Sequence, residues 1–157
     1  MEICFRPYRI EDCSQITNLF YQTVHTVNIA DYSDAEVVAW APAIPNPSVW
    51  DASFQSHYTL VAHVGSDIVG FGDITRDGYL DRLYVHHAFQ RQKIATRIVE
   101  GLEIYARKNS LPIITTQSSI TATPFFVKRG YQIITKQKVS RCGVLLTNFV
   151  MKKVLFR

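Results

Sequence analysis

No stretch of the 157-residue chain approaches the roughly 20 consecutive apolar residues that a membrane-spanning helix requires. The most apolar region, residues 58–71, is interrupted by His63, Ser66 and Asp67, so no membrane partner is expected. The first six residues, Met1 to Arg6, lack the basic-then-apolar order of a secretory signal. Cysteine is equally scarce: Cys4, Cys13 and Cys142 are odd in number, far apart and without a CxxC pair. That pattern excludes a disulfide framework and a zinc site, and it predicts reduced thiols in a cytoplasmic protein. Internal repeats, low-complexity tracts and linkers are absent too, so residues 1–157 are expected to form a single domain.

What is present supports a packed core. A composition of 47% hydrophobic and 19% charged residues excludes a disordered chain. The excess charge is small: 17 Lys and Arg against 13 Asp and Glu leave +4. This permits an anionic partner without choosing one. A nucleic-acid surface would need basic residues along one face, interleaved with exposed aromatics. Outside residues 91–97 and the last strands no such stripe exists, so no nucleic acid is expected.

Hydrophobic periodicity divides the chain into alternating strands and helices. Ile3–Tyr8 alternates as a half-buried strand. Ile16, Leu19, Phe20, Val24 and Val27 recur at helical spacing, with Asp12 placed to cap that helix. Ser33 to Glu36 has capping-box form and starts a short helix through Val37 and Trp40. Pro42, Pro45 and Pro47 predict an irregular segment before Trp50 and Phe54. Tyr58–Val64, Ile68–Thr75 and Tyr79–Val85 read as an antiparallel meander with tight turns between them. A long helix follows over Arg91–Lys108, with Ile94, Ile98, Leu102 and Tyr105 on one face. A strand over Ile113–Thr116, a helix over Ser119–Arg129 and strands over Tyr131–Val139 and Val144–Lys153 complete the pattern. Gly130 is placed to cap the second of these helices. The class is α+β or mixed-sheet α/β.

The junction between the strand ending at Val85 and the long helix carries the chemistry. The start of a helix exposes backbone N–H groups without partners and the positive end of the helix dipole, which together attract anions. Arg91, Lys93 and Arg97 crowd that end, where cations cost about 0.3–1 kcal/mol each unless an anion sits among them. A solvated basic face and a phosphate site both fit.

Leu83-Tyr-Val-His86 followed by Gln90-Arg-Gln-Lys-Ile-Ala95 resembles motif A of the GNAT superfamily of acetyl-CoA-dependent N-acetyltransferases. Gln90 and Ala95 match the first and last positions of its (Q/R)xxGx(G/A) pattern; Lys93 stands at the usual middle glycine, where an ordinary helical backbone is expected. Arg6-Pro7 to Asp12, Ile68-Val-Gly-Phe71 and Ala122-x-x-Phe125-Phe126-x-x-x-Gly130-Tyr131 extend the likeness. Val38-Ala-Trp-Ala41, Ser119-Ile-Thr-Ala-x-Pro-Phe-Phe126 and Thr147-Asn-Phe-x-Met151 make it strongest toward the YafP-type branch. The resemblance implies the GNAT acyl-CoA N-acyltransferase fold, a splayed mixed seven-stranded sheet flanked by helices. It also implies acetyl-CoA between the fourth and fifth strands and transfer of its acetyl group to a small-molecule or peptide amine by direct attack.

By position, the pantetheine arm would pair with Leu83, Tyr84 and Val85. The pyrophosphate would lie on Gln90, Arg91, Gln92, Lys93, Ile94, Ala95 and Thr96, with Ser119 and Phe126 on the other side. Ser119 reads equally as a helix cap. Phe126 replaces the tyrosine that often acts as general acid; a phenyl ring donates no proton, so the role passes to Tyr84 or Tyr131, to water, or to no group if the thiolate leaves unassisted. Asp81 is the base, expected on the Leu83/Val85 face of its strand. His86 and His87 read as structural, with adjacent rings pointing apart, and no metal site is expected. Tyr32, Trp40, Trp50 and Phe54 would wall the acceptor side. A non-enzymatic acyl-CoA-binding sensor is the alternative that Phe126 supports. The last strands offer a surface for a homodimer.

Overall fold

The computed structural model describes residues 2–157. They build one seven-stranded mixed sheet with helices on both faces. In chain order the elements are β1 (Cys4–Pro7), α1 (Cys13–Thr26), α2 (Asp34–Trp40), α3 (Pro47–Ser56), β2 (Tyr58–Val64), β3 (Asp67–Ile74), β4 (Tyr79–Val85), α4 (Ile94–Lys108), β5 (Ile113–Ser119), α5 (Thr123–Lys128), β6 (Gln132–Arg141) and β7 (Val144–Val154). The strands lie in the order β1-β2-β3-β4-β5-β7-β6. Only β4 and β5 run parallel, because α4 carries the chain across between them. No helix among the described residues is long and apolar enough to cross a membrane.

Two apolar clusters sandwich the sheet. On one face Ile94, Ile98 and Leu102 of α4 pack on Ala62, Val69, Leu80 and Ile114; on the other, Ile16 and Val24 of α1 and Phe54 of α3 pack on Val61 and Phe71. Gly70 and Gly72 let α4 approach. A Cβ at Gly70 would lie 2.9 Å from Ile94 Cγ2, and one at Gly72 would lie 2.8 Å from Ile98 Cγ2. Buried Glu103 ties α4 to the last strands, accepting from Tyr131 Oη at 2.9 Å and from Lys153 Nζ at 3.1 Å.

Several local expectations change. The proline segment yields a helix, because Asn46 accepts from Ser48 N at 2.9 Å as its cap and Pro47 occupies its first turn. Asp12 does not cap α1: its carboxylate takes both Arg6 guanidinium nitrogens, at 2.7 and 2.8 Å, and the Arg9 N–H. β5 runs on to Ser119 and α5 starts only at Thr123, since Ser119 Oγ accepts from Ala122 N at 3.0 Å and closes a turn instead. The long helix begins at Ile94, three residues later than its periodicity predicts. Arg91 and Lys93 break it, both with positive φ (61° and 62°). Lys93 thus adopts the left-handed backbone that the family's glycine would supply, not the helical one expected of a lysine.

Candidate active site

The pairing of β4 with β5 ends almost as soon as it begins. Only Tyr79 and Leu80 find partners, Thr115 and Thr116, and beyond them the strands diverge. A bulge marks the same point. Asp73 of β3 pairs with Arg82 and Ile74 with Leu80, so Asp81 is the extra residue. The bulge also shifts the alternation. Leu80, Leu83 and Val85 all join the core beneath α4, and the Asp81 carboxylate turns toward Arg82, Asp73 and His57 rather than onto the Leu83/Val85 face.

The gap leaves backbone polar groups of β4 exposed to the cleft. His86 N–H bonds to Val69 C=O, and bonded pairs alternate along an antiparallel ladder. Tyr84 therefore spends its amide on Phe71, and the amides of Leu83 and Val85 point into the gap. The pantetheine-pairing set expected from the sequence thus loses Tyr84 as a backbone partner. Gln90 acts on the same edge, its Nε2 donating to Val85 C=O at 2.6 Å, so its side chain braces the loop.

A cleft of about 430 Å³ runs from this gap to the start of α4. Leu83, Val85, Gln90, Arg91, Lys93, Ile94, Ala95, Thr96, Ser119 and Phe126 all line it; Gln92 does not. At the helix end no side chain caps the first turn, so its N–H groups face the cleft unpartnered, between Arg91 and Lys93. Arg97 departs from expectation: its guanidinium stacks on Phe5, 4.0 Å from the ring centre, and lies outside the cleft. Among the described residues Asp81 is the sole carboxylate lining the cleft, at the end away from the loop. Thr23 Oγ1 and Thr121 Oγ1, buried on the cleft's lining residues, have no hydrogen-bond partner. Free N–H groups, unpaired cations and orphaned hydroxyls fit a long ligand with an anionic end. Thr23 and Thr121 carried no signal in the sequence, because only the fold brings α1 and the β5–α5 turn together.

A second cleft, of about 280 Å³, opens on the opposite side. Asp81, Arg82, Tyr84, Trp40, Gln117 and Ser119 line both, so the two clefts meet at the bulge. Burial raises the Asp81 carboxyl above its ordinary value against the lowering effect of Arg82. Burial likewise raises the Tyr84 phenol, whose ring packs on Phe20 and Phe71. Tyr131 lines neither cleft: it is 2% exposed and donates to Glu103, which removes it from any substrate. Tyr32, Trp40 and Trp50 wall the second cleft, whereas Phe54 is in the core beneath Trp50.

Arg82, unremarked in the sequence, holds the junction together. It bonds buried Asp73 at 2.6 Å, approaches Asp81 at 3.4 Å and stacks over Trp50 at 4.5 Å. His57, Asp73 and Asp81 bring three potential ligand atoms within 4.8 Å. The Arg82 guanidinium already engages two of those carboxylates, so the cluster is an ion-pair network rather than a cation cage. The His86 and His87 rings do not diverge but stack 4.3 Å apart, and His86 Nδ1 accepts from Ala88 N, which makes the pair a turn element.

The chain matches the family described as the acetyltransferase (GNAT) domain over residues 28–153. It is also 30% identical to the N-acetyltransferase YafP of Escherichia coli K12 over 151 residues, covering 96% of this chain and 95% of the relative. The chain belongs to the GNAT acetyltransferase family. A GCN5-related N-acetyltransferase from Rhodopseudomonas palustris has the same fold, with a TM-score of 0.92 at 30% identity, covering 99% of this chain and 97% of its own. The PaiA N-acetyltransferase of Thermoplasma acidophilum, solved with coenzyme A, superposes at 0.76 with 19% identity, covering 98% and 99%. The seven-stranded sheet splayed at β4 and β5 is therefore the GNAT sheet.

Proposed function

We propose that the protein transfers the acetyl group of acetyl-CoA to a primary amine, with the donor in the larger cleft and the acceptor in the smaller. The observation that carries this reading is the meeting of the clefts at the β4 bulge, where Asp81 and Tyr84 line both. Acetyl-CoA supplies an activated acetyl group as a thioester. Its polyphosphate end would rest on the free N–H groups of Ile94 to Thr96, with Arg91 and Lys93 beside it. The amides of Leu83 and Val85 would hold the pantetheine arm and the carbonyl oxygen where negative charge develops.

Asp81 takes the proton that the acceptor's ammonium must lose before its nitrogen can attack. Desolvation raises its pKa, which brings it nearer to that task. Tyr84 delivers a proton to the departing sulfur, the part that Phe126 cannot play. Release of free thiol from acetyl-CoA in the presence of an amine panel tests the reading. Amine-dependent thiol release is expected; tight acetyl-CoA binding without turnover by any amine would instead make the protein a sensor.

A further inference from the structure

The acceptor cleft is charged asymmetrically. At its inner end stands Asp81, 31% exposed at its side chain. Arg82 lies beside it at 3.4 Å, held more closely by buried Asp73 at 2.6 Å and by Ser53 Oγ at 3.2 Å. At the mouth stands Arg141, the last residue of β6, whose guanidinium bonds only the neighbouring Ser140 carbonyl, at 3.1 Å. Among the described residues no carboxylate pairs with it. Tyr79, on the wall between, is raised by burial and Asp81 and lowered by Arg141, so both charges act across the same space. Tyr32, Trp40 and Trp50 supply an aromatic surface between the two charged ends.

A cleft with a carboxylate where it meets the donor cleft and an unpaired guanidinium at its mouth matches a molecule with opposite charges at its two ends. A polyamine or an aminoglycoside would bring a second cation against Arg141. The volume of about 280 Å³ suits a body the size of one amino acid rather than a folded partner.

We infer that the acceptor is a small amine that also carries a carboxylate, with its ammonium against Asp81, its carboxylate against Arg141 and its apolar body on Tyr32, Trp40 and Trp50. This rests on the proposed acetyl transfer. The ammonium passes one proton to Asp81, the freed nitrogen bonds the acetyl carbon, the carbon–sulfur bond breaks, and the sulfur leaves as the thiol with a proton from Tyr84, which the nitrogen's second proton replaces. The carboxylate takes no part in the chemistry and acts through binding alone.

4-(Aminomethyl)benzoate and benzylamine share an aromatic body and differ only in a carboxylate at the end opposite the amine, so thiol release with each, at saturating acetyl-CoA, tests the inference. 4-(Aminomethyl)benzoate is expected to show the higher kcat/KM by about tenfold, as one charge-assisted contact supplies. Arg141→Gln should erase most of that preference through KM, whereas Lys138→Gln, on the same strand but outside the cleft, should retain it. Quenching of Trp40 and Trp50 fluorescence by 4-(aminomethyl)benzoate, weakened in the Arg141→Gln protein, gives a readout independent of turnover. Equal or better turnover of benzylamine, or a preference that survives Arg141→Gln, would overturn the inference and leave acetyl transfer standing. No thiol release with any amine, together with no binding of acetyl-CoA, would overturn both.

Discussion

Two residues bear most of the chemical argument. Asp81 occupies the bulge and is raised by burial, so the folded protein binds its proton more tightly than the unfolded chain does. Stability from this group therefore falls as pH rises from the ordinary carboxylate range through the raised value. Asp81→Asn should keep or increase Tm at pH 7 and lower kcat/KM by about a hundredfold to ten-thousandfold, the usual range for a lost base. In the unmutated protein kcat/KM should drop on the acid side at a pH above the ordinary aspartate value. Lys93 presents the opposite balance. Its left-handed backbone costs about 1–2 kcal/mol that glycine would not incur, partly offset by glycine's unfolded-state entropy. Lys93→Gly should raise Tm by roughly 2–4 °C, measurable by calorimetry, and weaken coenzyme A binding, with a shallower dependence on salt.

Among the elements, the position of α4 on the sheet sets the width of the donor cleft. Gly72 permits that position, with Ile98 Cγ2 and Arg82 C=O at 2.8 and 3.1 Å from where a Cβ would stand. Gly72→Ala should destabilise by about 1–3 kcal/mol, a Tm loss of roughly 2–12 °C. It should also weaken acetyl-CoA binding, because Ile94 and the cleft loop move with the helix. Strands and core helices were legible in the sequence because their periodicity and turn residues act locally, whereas the start of α4 was placed three residues early because nothing local marks Arg91 and Lys93 as left-handed. Helix α3 was hidden by its prolines, one of which proves to be an N-terminal helix former. The bulge at Asp81 had no local signature. It depends on a mismatch between β3 and β4 that is visible only when both strands are laid side by side, and it decides which way Asp81 points. Arg82 and the hydroxyls of Thr23 and Thr121 stayed unread for a related reason, since their partners or cleft neighbours lie far away in sequence.

At the scale of the molecule, a GNAT sheet opened between two parallel strands joins a long cleft to a smaller one walled by aromatic rings. A ligand that fills the first and binds only the folded state should stabilise it by about 2.7 kcal/mol at 100 times its dissociation constant. That corresponds to roughly 5–10 °C in a melting curve with acetyl-CoA. Where the ligand sits is the sharper question, and amide hydrogen exchange with and without acetyl-CoA answers it most directly. Protection is expected in peptides covering residues 83–85 and 94–96, at the amides of Leu83, Val85 and Ile94 to Thr96 that the fold leaves without protein partners. Unchanged exchange in both segments at millimolar acetyl-CoA, or protection confined elsewhere, would contradict the account.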